Sequence, residues 1–170
     1  MKTNQLFPYF PAAIIPIGKQ LPKPNRLARV IITIPAKNEA ENIWKTLSAL
    51  SIQSSGNKLI SPHLFEVLVL CNHCTDNTEE SCDLFQKLHS DFPLYIFKTH
   101  HPTINNVGIV RKILMDTASK RISEDGLIIM TDADTLADAN WLDAYLNLQS
   151  ELVDLICGII KPDLKRVHID

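Results

Sequence analysis

Three features of this 170-residue sequence predict an α/β fold with a mostly parallel sheet flanked by helices. From Arg29 onward, short β-branched or apolar runs alternate with longer stretches at helical spacing, as repeated βαβ units require. The runs are continuous in Val, Ile and Leu, which suits strands covered on both faces. Their polar neighbours gather at the C-terminal ends, where ligands bind to parallel sheets, because loops and helix N-termini converge there.

Residues 1–28 read as a proline-rich arm and residues 29–170 as the folded domain. Five of the ten prolines precede residue 25, which predicts an irregular, extended strap up to Arg26. Pro8, Pro11 and Pro16 interrupt its apolar stretch and no small-residue cleavage site follows, so it is not read as a signal peptide. The first strand is expected over residues 30–35, followed by a helix striped with Ile43, Leu47 and Leu50. A second strand over 65–70 precedes a helix carrying Cys82, Phe85 and Leu88. A third strand over 94–97 leads to a helix carrying Val110, Ile113, Leu114 and Ala118. A fourth strand over 127–131 is followed by a helix around 139–148 that buries Trp141, Leu142 and Tyr145, and a fifth strand covers 155–160.

A hydrophobic content of 45% is enough for a sizeable single core. The net charge of −2, from 17 basic and 19 acidic side chains, gives no electrostatic footprint for nucleic acid. No apolar run reaches the ~20 residues of a membrane helix. Cys71, Cys74, Cys82 and Cys157 are too few and too unevenly placed for a disulfide framework. The expected setting is the cytoplasm, with a peripheral place at the inner membrane face left open.

Three polar loops are expected to face one crevice. Pro35-Ala36-Lys37-Asn38-Glu39 follows the first strand, Asn72-His73-Cys74-Thr75-Asp76 the second and Asp132-Ala133-Asp134-Thr135 the fourth. In extended chain Asp132 and Asp134 point to the same side, so both carboxylates can approach one hard divalent cation, Mg²⁺ or Mn²⁺, with phosphate oxygens completing its shell. The alternative is that they end a strand while Thr135 or Asp138 caps the next helix. An EF-hand loop fails, because Leu136, Ala137 and Asp143 stand where an oxygen ligand, Gly and Glu are wanted. Glu39 is either a functional carboxylate or a first-turn charge, and Asp76 reads as a helix N-cap. The segment from Asn105 to Lys112 opens a helix whose N–H groups, with Arg111 or Lys112, can meet a phosphate; a solvated helix start explains it as well. Cys71-Asn72-His73-Cys74 raises a redox or zinc alternative, weakened by the lack of a second ligand pair at the usual spacing.

In order and spacing these stretches resemble the nucleotide-binding half of family 2 glycosyltransferases, enzymes of the GT-A fold. Val30 to Glu39 is similar to the family's opening strand and Pro-x-x-Asn-Glu turn. Val107-Gly108 through Arg111 resembles its helix start after the third strand, and Thr131-Asp132-Ala133-Asp134-Thr135 with Trp141-Leu142 its DxD region. The resemblance implies that Ala36, Asn38, Glu39 and Asn72 hold the base and ribose of a nucleotide-sugar donor. It implies that Arg111 lies near the phosphates, and that Asp132 and Asp134 bind the divalent cation, Asp132 also contributing to the donor site. The reaction implied is metal-dependent sugar transfer to an acceptor hydroxyl on a glycan, lipid or small molecule.

Two departures stand out. Cys71-Asn72-His73-Cys74-Thr75-Asp76 replaces the family's Asp-Asp-Gly-Ser-Thr-Asp. The acceptor-binding half, with its general base, is expected to be largely absent, so no catalytic base is assigned. A missing half would leave sheet edge and apolar surface open to self-association. The alternative function is a non-catalytic nucleotide-sugar-binding module or an inactive, truncated transferase. A sugar-1-phosphate nucleotidyltransferase is disfavoured, because the loop after the first strand has no glycine.

Overall fold

The computed structural model describes residues 13–148 and 155–161. Its centre is a five-stranded sheet in the order β1-β6-β5-β2-β7, and a two-stranded hairpin, β3 (Ser54–Ser55) with β4 (Lys58–Leu59), lies apart from it. Strands β2 (Val30–Ala36), β5 (Phe65–Asn72), β6 (Leu94–Thr99) and β7 (Leu127–Met130) are mutually parallel, with Val30 level with both Phe65 and Leu127. Only the short edge strand β1 (Ile15–Ile17) runs antiparallel, against β6.

The period of two along each strand divides the core in half. Val30, Ile32 and Ile34 of β2, Val67 and Val69 of β5, and Leu94 and Ile96 of β6 face one layer. Ile31, Leu68, Leu70, Tyr95 and Phe97 face the other. Helix α1 (Ile43–Ser51) covers the first layer with Ile43, Leu47 and Leu50, and α2 (Thr78–Leu88) with Cys82 and Phe85. Helix α3 (Val107–Ser119) covers the second with Val110, Leu114 and Ala118, joined by Ile14 and Leu21 from the arm. Burial on both faces is why the strands carry no polar alternation. Helix α4 (Trp141–Leu148) buries Leu142 alone, while Trp141 and Tyr145 pack on the core partly exposed.

Besides the partial exposure of Trp141 and Tyr145, which were expected to be buried, three expectations need correction. The arm is not wholly irregular, because Ile15–Ile17 forms a strand whose partners lie some eighty positions away, at Ile96 to Lys98. Leu88 is 65% exposed; the buried face of α2 runs through Thr78, Cys82, Phe85 and Gln86 instead. Gln86 is accommodated because its amide donates to Leu94 O at 2.7 Å and its Oε1 accepts from the Lys19 N–H. Residues 155–160 form no strand, and Leu155, Ile159 and Ile160 are 79%, 91% and 81% exposed. A strand needs a ladder partner as well as apolar side chains, and among the described residues β7 pairs with β2 alone.

Candidate functional site

The chain leaves β2 through α1 to β5 on one side, and α3 later returns it to β7 on the other. Strand order therefore reverses at β2, with α1 and α3 on opposite faces. Such a switch point leaves a crevice beyond the strand ends. A cavity of about 340 Å³ occupies it. Its walls are Pro35, Ala36, Lys37 and Glu39 after β2, Asn72 at the end of β5, residues Asn105 to Val107 with Val110 and Arg111 at the start of α3, and Asp132, Ala133 and Asp134 after β7.

The two loops after β2 and β5 are stitched together. Asn38 takes a left-handed φ of 57°, which asparagine tolerates better than most residues. Its Oδ1 accepts from the Thr75 N–H at 2.8 Å. The Glu39 N–H donates to Thr78 Oγ1 at 2.7 Å and the Ala40 N–H to Asp76 Oδ2 at 3.0 Å. Asp76 Oδ1 also accepts from the Thr78 N–H and hydroxyl. It therefore does a capping residue's work one position early, since Asn77 is the N-cap and makes no side-chain cap bond. Burial alone would raise the Asp76 carboxyl, but these donors, Thr78 foremost, hold it below its ordinary value. Asn38 positions this loop without lining the cavity, whereas Ala36 and Glu39 line it.

Asn72 is 4% exposed, and its Oδ1 is buried without a hydrogen-bond partner among the described residues. An orphaned buried acceptor is costly; here it belongs to a residue of the cavity wall. The flanking cysteines serve the core. Cys71, Cys74 and Cys82 are all buried and free, with Cys74 Sγ lying 3.7 Å from Ala36 O. Contact with Cys74 would by itself lower the Cys71 thiol, but hydrogen bonding to Cys82 and burial carry it far above a free thiol. The bond to Cys71 and burial raise Cys74 in the same way. Thiols held protonated are poor nucleophiles and poor metal ligands, which counts against the redox and zinc alternative.

Helix α3 is capped by Asn106, whose Oδ1 accepts from the Ile109 N–H at 3.0 Å. One turn in, Arg111 faces the cavity, and its Nη2 donates to Asp132 Oδ1 at 2.8 Å. Its Nε is buried without a partner among the described residues. Lys112 points elsewhere, to Asp116. Asp132-Ala133-Asp134 is not extended as expected. After β7 the chain turns, with the Thr135 N–H donating to Asp132 O at 3.2 Å. Buried Ala133 is tied at its carbonyl to Thr46 Oγ1 of α1 at 2.7 Å, and both carboxylates line the cavity from this turn. Among the described residues no three His, Cys, Asp or Glu side chains converge in a metal-holding group. Two carboxylates beside a cavity still fit a hard cation, which commonly takes one or two carboxylates and completes its shell with ligand phosphates and water.

The model for Glycosyl transferase family 2 matches residues 31–166. The chain belongs to glycosyltransferase family 2. Solved structures of GT-A glycosyltransferases share the fold. TarS 1–349 from S. aureus superposes with a TM-score of 0.54 at 18% identity, over 71% of this chain and 32% of that one. The mannosyltransferase PcManGT from Pyrobaculum calidifontis, in complex with GDP-Man and Mn²⁺, gives 0.50 at 24% identity, over 69% of this chain and 30% of that one. TarS has also been solved with UDP-GlcNAc. The chain thus spans about a third of the length of these structures. No curated protein matches it.

In this family 2 chain Lys37, Asn105 and Val107, all from stretches expected at the crevice, also line the cavity. Sequence reading gives no sign that Val110, a core position of α3, lines it too. Thr46 holds the turn from behind, and Gln53 holds the segment that follows it. Gln53 donates to Asp138 O at 2.8 Å and accepts from the Leu142 N–H at 2.7 Å. A polar residue inside an apolar helical stripe was the one available sign of Thr46.

Proposed function

We propose that this chain binds the nucleoside diphosphate of a sugar donor and serves as the donor half of a metal-dependent glycosyltransferase acting on an acceptor hydroxyl. The observation that carries the reading is the convergence of Arg111, Asp132, Asp134, Glu39 and the orphaned Asn72 on one cavity at the switch point. Asn72 and Glu39, with Ala36 and the loop held by Asn38, would bind base and ribose. Arg111 would meet the diphosphate, and Asp132 and Asp134 would hold Mn²⁺ or Mg²⁺. A bound divalent cation supplies Lewis-acid stabilisation of the departing diphosphate. Bound donors in TarS and Mn²⁺ with GDP-Man in PcManGT support this assignment.

Transfer also needs a base within hydrogen-bond reach of the acceptor. Among the described residues Glu39, Asp132 and Asp134 are the carboxylates of the cavity wall and are already assigned to donor and metal, so we assign no base. That observation keeps a second reading alive, a donor-binding module without turnover. Exposed Leu155, Ile159 and Ile160 favour self-association in either reading, which sedimentation velocity over a concentration series tests.

The deciding experiment is calorimetric titration with nucleoside diphosphates and nucleotide sugars, with and without Mn²⁺. Metal-dependent binding that an Asp132→Ala, Asp134→Ala variant loses supports the donor site; binding without sugar release selects the module. Absence of binding across the panel would sink both.

A further inference from the structure

We propose that Arg111 is a resident counter-ion that couples metal and diphosphate binding, holding Asp132 until a phosphate draws the guanidinium away. The inference rests on the donor-site reading above and goes beyond it, because it assigns Arg111 a role before any ligand arrives.

The geometry carries it in three steps. Arg111 Nη2 donates to Asp132 Oδ1 at 2.8 Å, so the carboxylate assigned to the metal already has a cation on one oxygen. The arrangement is movable, since the side chains are 42% and 50% exposed and an ion pair so placed is weak. The turn bearing Asp132 is less free, because the carbonyl of buried Ala133 is pinned by Thr46. Arg111 is therefore the partner that gives way.

Its destination is marked by the second observation. The Nε of Arg111 is buried on the cavity wall and has no partner among the described residues. A guanidinium with one nitrogen on a carboxylate and another unpaired gains by moving to an acceptor with several oxygens. Phosphate offers that, in charge-assisted bonds stronger than neutral ones. Once Arg111 turns to the diphosphate, Asp132 Oδ1 is released and a positive charge leaves the metal's position. Diphosphate thus strengthens metal binding beyond their direct contact, and by linkage the metal strengthens diphosphate binding by the same factor.

The test measures Mn²⁺ binding by the loss of its free electron paramagnetic resonance signal, on the whole chain, with no nucleotide and with UDP or GDP. Compared with wild type, Arg111→Gln should bind Mn²⁺ alone about fivefold more tightly, the factor that an exposed ion pair of ~1 kcal/mol represents. Its enhancement by diphosphate should shrink by a similar factor. Arg111→Lys, which keeps a cation beside Asp132, should return to the weaker affinity of the wild type. Unchanged or weaker binding of Mn²⁺ alone by Arg111→Gln, with diphosphate-dependent binding still present, overturns the counter-ion role and leaves the donor site standing. If no protein binds Mn²⁺ under any condition, the donor-site reading falls and takes this inference with it.

Discussion

Thr46, in the middle of α1, donates its buried hydroxyl proton at 2.7 Å to the carbonyl of Ala133, the residue between the two cavity carboxylates. A core helix thereby fixes the height of the Asp132–Asp134 turn. In Thr46→Val the side-chain shape persists but a buried carbonyl loses its donor, at a cost of about 1–3 kcal/mol. Chemical denaturation should show that loss, and the Mn²⁺-dependent affinity for nucleoside diphosphate should fall. Thr46→Ser, which keeps the hydroxyl, should retain the affinity.

Glu66 and Arg121 form a two-pronged ion pair at 2.7 and 2.8 Å with side chains 2% and 1% exposed, and Arg121 also donates to Pro22 O in the arm at 2.9 Å. Removing one partner strands a buried charge, so Arg121→Met should destabilise by about 3–5 kcal/mol. Adding Glu66→Leu to it should recover much of that loss. Denaturant midpoints of the singles and the double decide the matter, and additive losses would contradict the pairing.

Cys71 and Cys74 have thiols raised far above their ordinary value of 9.0. The folded state thus holds protons that the unfolded state releases. The stability this confers is complete below pH 9.0 and drains away as pH climbs toward the folded values. Unfolding free energy should decline with pH from about pH 9, at up to ~1.4 kcal/mol per unit for each thiol. At neutral pH, Cys157 is exposed and should react rapidly with a thiol reagent, while Cys71, Cys74 and Cys82 should wait for denaturation. Fast modification of Cys71 or Cys74 in the native protein would revive a redox role.

Asp76 gives the opposite sign. Its carboxyl is lowered in the folded state, so its contribution is present above its ordinary value of 3.8 and disappears as pH falls through the folded value. Asp76→Ala should cost about 1 kcal/mol at neutral pH, the usual worth of a capping side chain. The difference between the two proteins should close in acid; a constant gap down to pH 3 would show that the carboxylate charge is not what matters.

Much of this architecture is legible in the residues, and the exceptions have physical causes. Strands β2, β5 and β6 are covered on both faces and so announce themselves as unbroken apolar runs; β7 keeps the apolar run although only Ile129 is fully buried. Residues 155–160 have the same composition without a ladder, which composition does not encode. β1 was missed because its pairing with β6 is settled far along the chain. At the site, the clustering of polar loops at strand ends was readable. Spacing alone could not choose the cation that faces the cavity, because one helical step separates Arg111, which lines it, from Lys112, which pairs with Asp116; only the family resemblance singled out Arg111. Nor could the pattern show the turn that follows β7, since Asp132 and Asp134 keep the same spacing in an extended chain.

The short strand β1 also gives the sheet a direction of growth. It lies along the outer edge of β6 with Pro16 at its centre, a residue that has no N–H to offer a further strand. That flank is blunted against templating, as edge strands in soluble proteins commonly are. β7, at the other flank, is four residues long and carries neither charge nor proline. Among the described residues β7 pairs with β2 alone, so a strand added to this sheet, from the same polypeptide or from another, finds its welcoming border there, beside the very turn that presents Asp132 and Asp134.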